Sequence, residues 1–499
     1  MIVRAALAAI VLAGSAPIAL AQEPPQAADS YFAEARADLV ARLSTRPITG
    51  RARNIILFIG DGMGVSTLTA ARIHQGQRAG QDGESTWTAM DRLPYSALVR
   101  TYAHDAQVSD SAPTATAMVA GVKTRNDIIG LDQTVALNDC IGSRGREVQS
   151  IFAVAEAAGL RTGLVSTARI THATPAAAYA HVANRDWENS SELPAEAREA
   201  GCVDIARQMV EWPHGDGLDV ILGGGRSQFL PTTATDVEDT QARGLRDDGR
   251  DLIAEWRARH PQGRYVWNAT QFANLGNERP VLGLFERDHM EFEAMRGDDA
   301  GGEPSLTEMT LKALDVLEGG DGYVLMVEAG RIDHAHHLGA AGLALEDTVE
   351  LDRAVAAVMA RIDLSDTLVI VTADHSHNFT MAGYPQRGNP ILGLVVDVDG
   401  DVVEARDGHP YTTLAYANGP GAVNGPRPDP SAADTTALTY QQQALVPLGS
   451  ASHGGEDVAV RAAGPWAHLF QGTIEQHLIY HVMRHAMTQP EPDAEASTD

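Results

Sequence analysis

The chain has 499 residues, 44% of them hydrophobic, and 66 acidic side chains against 38 basic ones leave a net charge of −28. Such acidity argues against a nucleic-acid backbone as a partner. The apolar content, spread along the whole length, excludes a disordered or fibrous chain in favour of one large globular domain or two moderate ones.

In chain order, the first element is Met1-Ile2-Val3-Arg4 followed by an apolar run from Ala5 to Leu20. It closes on Ala19-Leu20-Ala21 ahead of Gln22-Glu23-Pro24-Pro25. A basic start, a short apolar stretch and small residues before a polar exit predict a secretory signal over 1–21, cut after Ala21. The run is short for a membrane span. No later segment has the length and apolarity of a membrane helix, so a periplasmic or secreted protein without a membrane span is expected.

Five apolar runs then predict strands: Asn54–Ile59, Gly163–Ser166, Asp219–Leu222, Tyr323–Val327 and Thr367–Thr372. Runs of this kind alternating with helical patterns predict an α/β fold, a mainly parallel central sheet flanked by helices on both faces. Reactive groups in such sheets gather past the carboxyl ends of the strands. Those places hold Asp61, Glu328 with Asp333, and Asp374-His375.

Around these ends the chemistry-bearing residues cluster. Asp61 sits in Gly60-Asp61-Gly62-Met63-Gly64, which lacks the spacing of a dinucleotide fingerprint. Ser111, in Ser109-Asp110-Ser111-Ala112-Pro113, is placed by Pro113 near the start of a helix, where free N–H groups favour an alkoxide and a phosphate. Thr174, in Thr171-His172-Ala173-Thr174-Pro175, offers a hydroxyl to a hard ion, and Arg185 offers a planar fork to two phosphoryl oxygens.

In Glu328-Ala329-Gly330-Arg331-Ile332-Asp333-His334-Ala335-His336-His337, Asp333 and His337 fall on one helical face and can hold one ion, with Glu328 facing another. Adjacent Asp374 and His375 can share an ion, and His377 can orient a ligating carboxylate from behind. Residues 386–448 lose the helical pattern for Gly, Pro and short alternating runs such as Leu392–Val396. They read as an insertion after which the chain returns with His453, completing an Asp333, His337 and His453 set. The acidic tail over 489–499 is expected to be disordered.

Cys140 and Cys202 permit either one disulfide closing a loop of about 60 residues or two buried thiols; neither belongs to a Cys-x-x-Cys pair.

With these blocks in this order, the sequence resembles an alkaline phosphatase, closest in motif character to the animal-type branch. The resemblance spans almost all of residues 22–488 as one catalytic domain. It implies metal-dependent hydrolysis of small phosphate monoesters through a phosphoserine, with Ser111 as nucleophile and Arg185 as phosphate clamp. It assigns one Zn2+ to Asp333, His337 and His453, the second to Asp61, Asp374 and His375 within reach of Ser111, and Mg2+ to Asp61, Thr174 and Glu328. His172 and His334 occupy positions where members differ, some carrying Asp and Lys.

The same resemblance implies a Cys140–Cys202 disulfide and an additional Ca2+ near Glu238, Phe285, Glu286 and Asp298. It also makes 386–448 a crown-like insertion at a homodimer interface. The rival reading is a phosphodiesterase or sulfatase of the same superfamily.

Overall fold

A computed structural model describes residues 24–276 and 278–488; the signal at 1–21 and the tail at 489–499 lie outside the described residues. Residues 24–46 belong to a unit of their own. Within it the helix Ser30–Ser44 starts at Asp29, whose carboxylate accepts from the N–H groups of Tyr31 and Phe32, and none of its residues is buried.

The rest is built on a ten-stranded sheet. Its first eight strands are β1 (Asn54–Gly60), β2 (Tyr95–Arg100), β3 (Arg161–Arg169), β4 (Val220–Gly224), β5 (Arg264–Val266), β6 (Val281–Leu284), β7 (Tyr323–Ala329) and β8 (Thr367–Ala373). After β9 (Ser376–His377), β10 (Phe379–Met381), β11 (Leu414–Gly419), β12 (Ala444–Pro447) and β13 (His453–Gly454), the chain rejoins it as β14 (Val458–Ala463) and β15 (Thr473–Glu475). The order is β15-β2-β14-β8-β1-β7-β3-β4-β6-β5.

All five predicted runs are strands of this sheet. The central ones are apolar throughout because both faces are covered: every residue of β7 and β8 is buried. The helix Leu306–Leu317 shows how the cover is made. Ser305 and Glu308 form a reciprocal capping box at its start, and Leu306, Met309, Ala313, Leu314 and Leu317 recur at helical spacing on its buried side. The departure from parallel is β14, which runs antiparallel to both β2 and β8.

Register decides what the sheet presents. β1 pairs in parallel with β7 and β8 so that Gly60, Ala329 and Ala373 lie level. The next residues out are therefore Asp61, Gly330 and Asp374. One step in, Glu328 lies level with Ser166 of β3.

All of 386–448 lies between β10 and β13, and it contributes β11 and β12 to a three-stranded sheet with β10. The alternating run Leu392–Val396 forms isolated bridges instead, Leu394 with Thr412 and Val396 with Val402. The returning chain pairs β13 with β9, setting His453 opposite His377.

Cys140 and Cys202 are disulfide-bonded, 62 residues apart with Cα atoms 6.0 Å from each other. Closing that loop reduces the freedom of the unfolded chain, so replacing both cysteines by serine should cost about 4 kcal/mol. A urea midpoint equal to that of the oxidised wild type would contradict this.

Candidate active site

At the end of β1 the chain must turn sharply beneath other ligands. Gly62 does so at φ +66°, and a Cβ there would meet His377 Cδ2 at 2.7 Å and Asp333 Oδ1 at 3.0 Å. The turn lets the Gly62 N–H donate to Asp374 Oδ1 at 3.0 Å, and the His375 N–H donates to the same oxygen at 2.8 Å. Asp61, Asp374 and His375 are fully buried. Their donor atoms lie within 4.8 Å of one another, with His375 Nε2 3.5 Å from Asp61 Oδ1 and 3.3 Å from Asp374 Oδ2.

A second group contains Asp333, His337, His377 and His453. The helix Arg331–His337 places Asp333 and His337 one turn apart, Oδ2 to Nε2 at 3.3 Å, as the spacing predicts. His453 Nε2 reaches to 3.2 Å from His337 Nε2 and 3.5 Å from Asp333 Oδ1. Both rings are locked from behind. His337 Nδ1 donates to Ala451 O at 2.6 Å and His453 Nδ1 to Ser109 O at 2.8 Å, which leaves each Nε2 lone pair aimed into the group. His377 holds Asp333 Oδ1 through Nε2 at 2.5 Å, the supporting position expected of it.

A third group joins Asp61 and Glu328 to His172. Glu328 Oε2 accepts from Ser166 Oγ, whose strand register places it alongside. Thr174 is buried beside Glu328, whose ionised form its hydroxyl favours, and its Oγ1 makes no well-formed hydrogen bond among the described residues.

The electrostatics of these groups call for cations. Burial, followed by repulsion from Asp374 and Asp333, pushes the Asp61 carboxyl well above the usual range. Burial likewise lifts Asp374 to about 6 and Glu328 to about 7. Asp333 is held well below the usual range, because His377 and His337 outweigh its burial. Both oxygens of Asp61, Glu328 Oε1, Asp374 Oδ2 and Thr174 Oγ1 are buried without a hydrogen-bond partner. Desolvated carboxylates crowded this closely are accommodated by metal ions. Two groups of mixed imidazole and carboxylate suit Zn2+, and the oxygen-rich third suits Mg2+.

Ser111 opens the helix Ser111–Ala120, capped by Asp110, which accepts from the Ala112 N–H at 2.7 Å. Its Oγ lies 3.2 Å from His375 Nε2 and the residue is 2% exposed. Asp110 also ties Arg185 to this spot: Arg185 Nη1 donates to Asp110 Oδ1 at 3.1 Å, and Nη2 lies 2.8 Å from His172 Nε2. One carboxylate, Asp110, thus fixes both the start of the Ser111 helix and the Arg185 guanidinium.

The alkaline phosphatase family model matches residues 52–489. The chain belongs to the alkaline phosphatase family. It is 48% identical over 446 residues to the tissue-nonspecific alkaline phosphatase of Gallus gallus, spanning 87% of this chain and 84% of that one. It is 44% identical over 475 residues to the alkaline phosphatase of Gadus morhua, spanning 93% and 98%. Among solved structures it is similar to the Thermus thermophilus alkaline phosphatase, at 26% identity and a TM-score of 0.62 over 91% of this chain and 95% of that one. These relatives support the animal-type branch. As an alkaline phosphatase it hydrolyses phosphate monoesters to alcohol and inorganic phosphate, with two zinc ions and one magnesium ion.

One surrounding of this alkaline phosphatase site differs from the sequence expectation. Glu238 and Glu286 do come together, but the carboxylate beside them is Asp299. Asp298 ends a short 3-10 turn and takes no part in the group; adjacent side chains leave such a turn in different directions. The Phe285 carbonyl accepts from Arg226 Nη1 at 3.0 Å. Sequence reasoning also missed three residues. Ser166 and Asp110 were legible, the first from strand register and the second from its place beside Ser111. His289, which joins His172 and His334, carries no local signal.

Proposed function

We propose that hydrolysis proceeds in two displacements at phosphorus, with Ser111 as the first nucleophile. The observation that carries this reading is the placement of Ser111 Oγ, 3.2 Å from a nitrogen of His375. The hydroxyl is thereby presented to the position that the imidazole lone pair shares with Asp61 and Asp374. Bound metal ions supply Lewis acidity there, easing deprotonation of hydroxyl or water and offsetting charge on the phosphoryl and leaving oxygens.

The chain's own groups do the rest. Ser111 Oγ loses its proton and bonds to phosphorus while the ester oxygen departs with the bonding pair and is protonated to the alcohol. Arg185, oriented by Asp110 through one arm, turns its guanidinium to the non-bridging oxygens. N–H groups at the start of the Ser111–Ala120 helix add partial positive charge. Water then attacks the phosphoserine, breaking its Oγ–P bond, returning a proton to Ser111 and releasing phosphate. In the ligand assignment, Asp333, His337 and His453 hold one zinc and Asp61, Asp374 and His375 the other. Asp61, Thr174 and Glu328 hold magnesium.

Initial rates on a phosphate monoester, a phosphodiester and a sulfate ester sharing one leaving group separate this from the rival readings. The monoester should be fastest by at least about a hundredfold, because Arg185 and the paired cations match a dianionic group. A preference for either other ester would overturn it.

Export by the 1–21 signal follows from its composition, and no helix among the described residues is long and apolar enough to cross a membrane. A homodimer is supported by the family and by β12, where Leu445 is 83% exposed; sedimentation at the mass of one chain would refute it. Glu238, Glu286 and Asp299 are suited to Ca2+ through oxygen ligands. An unfolding temperature indifferent to added calcium would exclude that.

A further inference from the structure

His172, His289 and His334 each bring one ring nitrogen to within 4.8 Å of the others. Their centroids are 4.1 to 5.5 Å apart. Three imidazoles so gathered resemble a metal ligand set, but the contacts around them describe the opposite polarity. Arg185 Nη2 lies 2.8 Å from His172 Nε2, Arg331 Nη1 3.1 Å from His334 Nδ1, and the Arg169 backbone N–H donates to His289 Nδ1 at 3.1 Å. Guanidinium and amide N–H groups can only donate, so these three nitrogens are acceptors.

The network therefore assigns the ring protons to His172 Nδ1, His334 Nε2 and His289 Nε2. A metal-bound histidine has its proton on the nitrogen turned away from the ion, donating to a carbonyl or carboxylate, as in His337 and His453. Here the nitrogen turned away faces a donor in each ring.

Among the described residues the protons so assigned have no acceptor at hydrogen-bonding distance; Asp288 Oδ1 stands 3.8 Å from His289 Nε2, and Asp61 and Glu328 each bring a carboxylate oxygen within 4.8 Å of a His172 nitrogen. His172 Nδ1 is buried without a partner. His289 Nε2 faces Arg169 Nη1 at 2.7 Å, donor against donor, a contact relieved when both donate to one oxygen. Arg331 packs its guanidinium 3.8 Å from the centre of the Phe292 ring and its Nε is buried without a hydrogen-bond partner among the described residues; Asp347, Glu291, Asp288 and Glu303 attract it, but none of them makes a direct ion pair with it. Arg169 is already matched, by Glu188 through two hydrogen bonds and by Asp288. With one nitrogen of each ring accepting from an N–H group, each imidazole carries its single proton on the other nitrogen. What remains is a set of ring N–H donors and a guanidinium without a direct carboxylate contact, next to the Arg185 clamp.

We propose that His172, His289, His334 and Arg331 form a second oxyanion subsite, taking a tetrahedral phosphate-type group beside the one held at Arg185. The phosphomonoesterase reading sets only its position. The group can be the second phosphoryl of a compact bisphosphorylated substrate or free phosphate, and the chemistry of recognition is the same for both.

The test has two arms. Metal-replete Ser111→Ala protein titrated calorimetrically with inorganic phosphate should bind two equivalents per chain, and the same protein with His289→Ala should bind one. This arm needs no turnover, so it stands or falls apart from the proposed mechanism. In the otherwise wild-type enzyme, the ratio of kcat/KM for 1,2-propanediol bisphosphate to that for propyl phosphate should fall about tenfold with His289→Ala, the worth of one charge-assisted hydrogen bond.

A fall in that ratio assigns the subsite to the substrate, and two equivalents with an unchanged ratio assign it to free phosphate. One equivalent in both proteins with an unchanged ratio overturns the proposal. So does a further zinc ion in the wild type that His289→Ala removes. His289→Asn, with a smaller loss of volume, replaces the alanine variant if circular dichroism shows that one unfolded.

Discussion

Ser111→Ala lowers kcat/KM for a phosphate monoester by at least about a thousandfold while leaving the zinc and magnesium content unchanged. The size follows from removing the atom that bonds to phosphorus, after which turnover rests on positioning and charge alone. The unchanged metal content follows from the ligand groups, each of which is complete without the hydroxyl. Initial rates and metal analysis on one preparation check both halves. Activity within tenfold of wild type would remove Ser111 from the mechanism, whereas a joint loss of metal and activity would make it a structural ligand.

Chelation to below about 1% of the bound metal abolishes hydrolysis and destabilises the fold, more so as pH rises. The sign follows from the carboxyls. Without cations, burial raises Asp61, Asp374 to about 6 and Glu328 to about 7, above their values in an unfolded chain. Each such group favours the folded state fully while it stays protonated, below its unfolded value. That contribution fades as pH climbs through the folded value.

The part of the metal-free protein's stability that these three carboxyls supply is therefore lost between about pH 4 and pH 8. The metal-bound protein, whose cations favour the ionised carboxylates, is spared this loss and gains binding free energy. Melting temperatures of both forms at pH 5.5 and pH 8.5 should differ more at the higher pH. An equal difference at both would show that the carboxylates are not what the ions stabilise.

The sequence carried much of this arrangement because two of its periodicities report local geometry. A buried parallel strand reads as an unbroken apolar run, so a charge just past its end stands out, as Asp61 and Asp374 do. Helical spacing puts Asp333 and His337 on one face wherever the helix happens to lie. The residues themselves made Ser111, Arg185 and the Asp333, His337 and His453 set candidates, and family resemblance then assigned their individual roles, since no periodicity distinguishes a nucleophile from a cap.

What only the tertiary structure decided depends on where distant segments arrive. His453 becomes a ligand candidate through the β9–β13 pairing, after an insertion whose path no local pattern specifies. Asp110 links Ser111 to an arginine 75 residues away, and Asp299 rather than Asp298 faces Glu238 and Glu286 because a turn sends adjacent side chains apart. His289 lies in a loop without periodic signal, yet it closes on His172 and His334. Local dihedral preferences act over a few residues and can be read from the chain. Convergence of three or four segments at hydrogen-bonding distance is set by the summed geometry of everything between them, which only coordinates record.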